Sequence, residues 1–535
     1  MGVATFLVAV LVGILLLSAS ASWPPTPGPR IGGGHKISQA TVNPPVPGED
    51  KTYWREEAQE TLRRQLNLTN TVRKAKNIIF FLGDGMGVGT ITAARILKGS
   101  QTGRWERESL SWEDFPHSAH IKTYNTNSQV VDSASSATAF LCGVKGNLWT
   151  VGVDANVLQV NCTDALNETF HTDSIAKWFQ DAGRSAGFVT TTRVTHATPA
   201  GAYAHSANRG WEDDAIMVKT GQDPDVCDDI AEQLILKDPG NKFKVIMGGG
   251  RQRLLPQSVI DVEEGVGGYR LDGKDLISMW KSDKDSKGVS SAYVWNREDL
   301  LALDTANTDY LLGLFAYSHM DYLLDRNPKM DPSLPEMTKA AIEVLRRDEN
   351  GYFLMVEGGR IDQAHHENKA RKALTETLEF DEAVQMALAM TDPLDTLIIV
   401  TVDHAQPLTI NGYPNRHNDI LGVGDVSGVD NIPYTALLYG NGPGYDVTEE
   451  GKRPDPSKLN LTDSNYRQTA AIPQSSSYHS GEDVGLWVTG PHSHLFTGVY
   501  EQNYIAHALA YAACVGEGLT FCDERKSNGT EGREP

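Results

Sequence analysis

The sequence is short of positive charge. Its 535 residues carry 48 Lys and Arg against 69 Asp and Glu, a formal net charge of −21. A surface of that sign repels nucleic-acid phosphates and anionic membranes, so no nucleic-acid-binding surface is expected. Long hydrophobic runs are also missing, apart from one at the start. The apolar run from Val3 to Leu17 is too short to span a bilayer comfortably, and Ala19-Ser20-Ala21 follows it. Residues 1–21 therefore read as a signal peptide, although no Lys or Arg precedes the run. No hydrophobic tail follows Cys522. Neither a transmembrane segment nor a GPI signal is expected, and the mature chain reads as secreted and soluble. Cysteine is scarce, at five. In a secreted chain four can pair and one is left over. Cys514 and Cys522 are close enough to close a small loop, and Cys162 and Cys227 form a second candidate pair. Cys142 lies in an apolar, small-residue stretch and reads as a buried free thiol.

Two catalytic signatures are absent as well. No G-x-S-x-G elbow surrounds the serines of "QVVDSASSATAF" (129–140). The glycine-rich "GDGMGVG" (83–89) fits neither G-x-G-x-x-G nor the P-loop, and it lacks the P-loop Lys. An Asp in a phosphate cradle would repel phosphate, so these glycines read as letting the backbone crowd a metal held by Asp84.

What is present has the composition of a globular protein. Asn67, Asn161, Asn167, Asn460 and Asn528 each begin an N-x-[S/T] sequon, in keeping with secretion. Residues 22–52 are rich in Pro and Gly and read as an extended arm, and 53–74 turn helical and amphipathic. Apolar runs then begin at 77, 185, 243, 352, 396, 434 and 483, separated by helical stretches. That alternation predicts an α/β fold with a large, buried, mostly parallel sheet. The stretch 212–242 reads as acidic and helical, 282–291 as a surface loop, and 405–476 as an irregular insertion. The catalytic domain is expected to span 53–522, with a polar tail over 523–535.

Three apolar runs end in acids: "NIIFFLGDG" at Asp84, "YFLMVEGG" at Glu357 and "TLIIVTVDH" at Asp403-His404. Functional groups in open α/β sheets collect outside the carboxyl ends of the strands. Three carboxylates gathered there repel one another unless a multivalent cation intervenes. In "VEGGRIDQAHHENKA" (356–370), Asp362 and His366 are i and i+4 on one helix face, a natural pair of metal ligands. His365 lies about 100° around the helix and reads as a supporting or surface residue. "TTTRVTHATPAGAYAHSANRG" (190–210) supplies His196, Thr198, His205 and Arg209, whose fork matches a phosphate or sulfate. His479 sits in a polar loop. The serines stand where an extended segment gives way to a helix start, as a nucleophile or as helix caps.

Together, "FLGDGMG", "VVDSASSATA", "THATPAGAYAHSANR", "VEGGRIDQAHHE", "VTVDH" and "HSGEDV" resemble, in order over roughly 55–522, the alkaline phosphatases, particularly the animal secreted and membrane-anchored kind. The resemblance implies hydrolysis of phosphate monoesters through a phosphoserine, at alkaline pH, by a homodimer with two Zn²⁺ and one Mg²⁺ per subunit. It places one zinc on Asp362, His366 and His479, a second on Asp84, Asp403 and His404 with Ser133, and magnesium on Asp84, Thr198 and Glu357. Ser133 matches the nucleophile, Arg209 the phosphate-binding arginine, and Asp132 its neighbour. The disulfides Cys162–Cys227 and Cys514–Cys522 match too, as do an N-terminal arm and a crown insertion (405–476). Two positions depart. Gln363 stands where vertebrate members have His and the bacterial enzyme Lys, near the phosphate. The family's calcium site is matched at Phe315 and Asp331, but Ala316 replaces its Glu, so calcium does not carry over with the rest. The nearest alternatives are a phosphodiesterase, sulfatase or phosphoglycerate mutase of the same superfamily. A different kind of alternative is a catalytically silent, metal-stabilised glycoprotein.

Overall fold

Strand β1 (Asn77–Gly83) is buried at every residue, as its unbroken apolar run requires. The computed structural model describes residues 48–516 and 518–527. The expected signal peptide, most of the arm, Asn528 and the end of the tail lie outside these residues. Further strands follow: β2 (His117–Lys122), β3 (Ser185–Arg193), β4 (Val245–Gly249), β5 (Ser291–Val294), β6 (Tyr310–Leu314), β7 (Tyr352–Gly358) and β8 (Thr396–Val402). A smaller lobe holds β9 (Leu408–Ile410), β10 (Val423–Val426), β11 (Pro433–Thr435), β12 (Leu437–Gly442) and β13 (Ala470–Pro473). Strands β14 (Val484–Thr489) and β15 (Gly498–Glu501) close the list.

The main sheet has ten strands in the order β15-β2-β14-β8-β1-β7-β3-β4-β6-β5. From β8 to β5 every neighbouring pair is parallel, and β14 alone runs against its neighbours β8 and β2. The fold is the expected α/β architecture. Its register matters for function. Leu82 pairs with Glu357 on one side and Thr401 on the other, so β1, β7 and β8 end level. Asp84, Glu357 and Asp403 therefore leave the sheet at one edge.

The helix Ser133–Cys142 is buried along its whole length. Asp132 caps it by accepting from the Ala134 N–H, and Gly143 ends it in the left-handed conformation. Its small residues "SASSATA" let it sit deep in the core.

Four expectations need correction. The amphipathic stretch 53–74 forms a shorter helix, Lys51–Leu66, with no buried residue. The run at 434 divides between β11 and β12 of the small lobe and does not enter the main sheet. The polar stretch 282–291 is not a loop. Its first half completes the helix Leu276–Ser286, where Lys284 is buried and donates to the Asn241 carbonyl. The stretch 212–242 is only partly helical, in Asp214–Lys219 and Ile230–Leu236. Within 405–476 the lobe is built of β9–β13, and its apolar side packs on the helices Val88–Thr102 and Ala370–Met390 through Ala93, Ala94 and Leu374.

Both candidate disulfides form, Cys162–Cys227 and Cys514–Cys522, and Cys142 is free and buried. Asn67, Asn167 and Asn460 are exposed, while Asn161 is half-buried and donates to Asp164. Among the described residues no helix is long and apolar enough to cross a membrane.

Candidate active site

The level strand ends deliver three acids into one buried site. Asp84, Glu357 and Asp403 are fully buried. Neither carboxylate oxygen of Asp84 has a hydrogen-bond partner, Glu357 Oε1 and Thr198 Oγ1 have none either, and Asp403 Oδ2 faces the His404 ring at 3.0 Å. Burial, then the charges of Asp403, Asp362 and Glu357, hold the Asp84 carboxyl well above the usual carboxylate range. Burial also pushes Glu357 up to about 7, against the hydrogen bond it accepts from Thr190. Anions so placed require cations or protons.

The turn after β1 brings the second element in. Gly85 adopts a left-handed φ of +66°, and a Cβ there would lie 2.7 Å from Asp362 Oδ1. Only glycine lets the helix Arg360–His366 approach this closely, and the Gly85 N–H also donates to Asp403 at 3.0 Å. On that helix Asp362 Oδ2 and His366 Nε2 are 3.0 Å apart, as the i, i+4 spacing requires. His479 Nε2 lies 3.2 Å from His366 Nε2, and its ring is fixed through Nδ1 by the Val131 carbonyl. Burial works against a charge on His366, but Asp362 raises it to about 9. Burial and His404 lower His479 to about 4.

Among the described residues, ligand atoms gather in three groups, each within 4.8 Å: Asp84, Asp403 and His404; Asp362, His404 and His479; and Asp84, His196 and Glu357. The first two offer the nitrogen and carboxylate donors that zinc takes. In the third, Asp84, Glu357 and the unpartnered Thr198 hydroxyl offer the oxygen donors that magnesium prefers. The residues present thus fit the metals that the resemblance implies. His196 joins the third group without having been expected there. Its Nε2 faces Arg209 at 3.1 Å, and its Nδ1 is buried and unpartnered.

Ser133 opens the helix described above, with Oγ 3.2 Å from His404 Nε2. Its helix N-terminus adds positive potential. Arg209 reaches the same place, bonded to Asp132 Oδ2 at 3.2 Å. Asp132 thus caps the helix that Ser133 opens and holds the arginine. Ser135 donates to Asp132 at 2.7 Å, and Ser136 to the Ser133 carbonyl at 3.0 Å.

Other assignments fall differently. His365 is not at the surface. It is fully buried, bonded to Thr90 at 2.9 Å and to the Tyr439 hydroxyl at 2.6 Å, and it anchors the small lobe. His205 lies away from these groups, stacked on His171. Gln363 faces His319 at 3.1 Å and accepts from Arg360, a contact that no spacing in the sequence announces. Gln406, two residues after His404, donates to Asp362 at 2.5 Å. Phe315 and Asp331 gather no group of three ligands among the described residues. Burial, with the nearby Glu263 charge, pushes Asp331 up to about 6.

Comparison with known proteins follows the same lines. The profile of the family described as "Alkaline phosphatase" matches residues 75–515. The chain is 50% identical to a rat tissue-nonspecific alkaline phosphatase over 500 residues, covering 91% of this chain and 93% of that protein. It is 45% identical to a silkworm (Bombyx mori) membrane-bound alkaline phosphatase over 483 residues, 88% of this chain and 87% of that one. The solved alkaline phosphatase of Thermus thermophilus superposes with a TM-score of 0.60 at 23% identity, covering 87% of this chain and 98% of that chain, a likeness of fold.

Proposed function

The chain belongs to the alkaline phosphatase family and hydrolyses phosphate monoesters; from that premise we propose that it does so through a phosphoserine on Ser133, in a centre of two zinc ions and one magnesium. One observation carries this reading. The same atom, His404 Nε2, faces Ser133 Oγ at 3.2 Å, Asp403 Oδ2 at 3.0 Å and Asp84 Oδ1 at 3.6 Å. In a Ser-His-Asp relay the serine and the acid face different ring nitrogens. Here His404 Nδ1 has no partner at all. Donors converging on one point support a coordination shell over a proton relay.

Asp84, Asp403, His404 and Ser133 would hold one zinc; Asp362, His366 and His479 the other; Asp84, Thr198 and Glu357 the magnesium. Bound there, such ions polarise phosphoryl oxygens and lower the pKa of nearby hydroxyls and water. Arg209 grips two phosphate oxygens with its fork, held in place by Asp132. Ser133 Oγ attacks phosphorus as the ester oxygen leaves with its electron pair. Water then cleaves the phosphoserine and restores the hydroxyl. Deprotonation of both nucleophiles favours an alkaline optimum.

The chain is further read as a secreted homodimer. The disulfides and exposed sequons support secretion. The helix Lys51–Leu66, which buries no residue of its own, supports a partner surface.

Acid quenching during turnover is expected to leave a phosphoryl adduct on the peptide carrying Ser133. Ser133→Ala is expected to lose the adduct and roughly 10³–10⁶-fold in turnover while keeping its metals. Turnover near wild type in that variant would refute the nucleophile.

A further inference from the structure

We infer that Trp149 is a stacking surface at the mouth of the Arg209 site and selects phosphate monoesters whose leaving group carries a planar aromatic ring. The inference rests on the reaction proposed at Ser133 and adds the class of alcohol released.

Trp149 is 42% exposed, although tryptophan is among the side chains with most to gain from burial. Its backbone has a φ of +70°, a left-handed conformation that bulky residues rarely adopt. The surrounding chain holds it there. Its N–H donates to Asp132 Oδ1 at 2.9 Å, and its carbonyl accepts from the Arg209 N–H at 2.8 Å. On either side, Leu148 donates to Asn127 Oδ1 at 2.9 Å and the Thr150 N–H to the Asn147 carbonyl at 3.2 Å. The main chain is pinned by these bonds while the residue stays partly exposed. Its ring centroid lies 5.6 Å from the Arg209 guanidinium carbon.

One carboxylate therefore fixes two things. Asp132 Oδ2 holds the Arg209 fork, and Asp132 Oδ1 holds the backbone that carries the indole. The aromatic face stands at a set distance from the group that grips phosphate. An aryl or nucleoside group attached to that phosphate can lie against the indole, whereas a small polyol offers it no flat apolar face. Stacking of this kind is non-directional within the ring plane, so it favours a class of leaving groups and not a single compound.

The test compares kcat/KM for 4-nitrophenyl phosphate, adenosine 5′-monophosphate and glycerol 2-phosphate in the wild type, Trp149→Ala and Trp149→Phe. The preference of the wild type for the two aromatic esters over glycerol 2-phosphate is expected to fall about tenfold in Trp149→Ala, mainly through KM. Trp149→Phe is expected to retain most of it, because a ring is restored on the same backbone. Equal losses on all three esters would overturn the inference, leaving Trp149 a prop for Arg209. An unchanged preference would overturn it too. Wild-type protein that hydrolyses none of the three would instead sink the reaction assigned to Ser133, and this inference with it.

Discussion

Ser133 and His404 meet through Oγ and Nε2, 3.2 Å apart, and the nitrogen that faces the serine also faces Asp403 and Asp84. A single imidazole proton cannot serve three oxygens. The geometry supports a shared cation at that point, and the expectations below follow from that reading.

Asp84 has two buried oxygens with no partner and three acids around it. Asp84→Asn removes one charge from that cluster. Without metal, the variant is expected to be more stable than wild type by about 1–3 kcal/mol, because an uncompensated buried charge is gone. With zinc and magnesium present the order should reverse, and activity should be lost. Thermal melts with and without chelator read both; a variant less stable in both conditions would contradict the account.

Arg209 offers a fork that Lys cannot reproduce. Arg209→Lys keeps the charge and loses the paired hydrogen bonds, a loss of roughly 1.5–3 kcal/mol, or about 10- to 150-fold in kcat/KM. Inhibition by inorganic phosphate should weaken in parallel. A variant with unchanged phosphate inhibition would remove Arg209 from the phosphate site.

Asp331 is pushed up to about 6 by burial and by Glu263. In the unfolded chain the same carboxyl has a pKa near ~3.9. The folded state therefore holds this proton more tightly. The stability it contributes is fully present below about pH 4 and is lost as the pH rises through about 6. Asp331→Asn is expected to raise Tm at pH 7.5 and to leave it nearly unchanged at pH 4. Adding calcium to the wild type should not shift Tm, since Ala316 supplies no carboxylate; a calcium-dependent rise would overturn that part.

Cys142 is buried, and burial pushes its thiol up to about 12. The thiolate is the reactive form, so iodoacetamide at pH 8 should leave the native protein unlabelled. Denaturation without reductant should expose one reactive thiol, at Cys142. Labelling at any other cysteine would contradict the two disulfides.

Much of this was legible in the chain. The strands that carry the acids are continuous apolar runs buried on both faces, so β1, β7 and β8 stand out, and their terminal acids mark the site. Asp362 and His366 follow from helical spacing. What stayed hidden depends on contacts between distant segments. β2, "HSAHIK", alternates polar and apolar residues with two histidines, which conceals a strand next to the core. Lys284 looked like loop polarity, yet its stem packs inside and its ammonium finds a carbonyl. His196 and His319 pack with ring centroids 5.2 Å apart although 123 positions separate them in sequence (319 − 196). The resemblance supplied roles for His479, which spacing alone left as a loop residue, and for Thr198, to which spacing gave none. Trp149 gave no signal, because its importance lies in a backbone angle and in what it is bonded to.

The most direct test of the central claim, a serine activated by cations and not by a histidine base, is the turnover of 4-nitrophenyl phosphate by protein stripped with chelator and then titrated with zinc and magnesium. The account expects activity to fall by about a thousandfold or more on stripping, and to return as zinc approaches two equivalents with magnesium present. Stripped protein that keeps its full activity, with no metal left by elemental analysis, would contradict it.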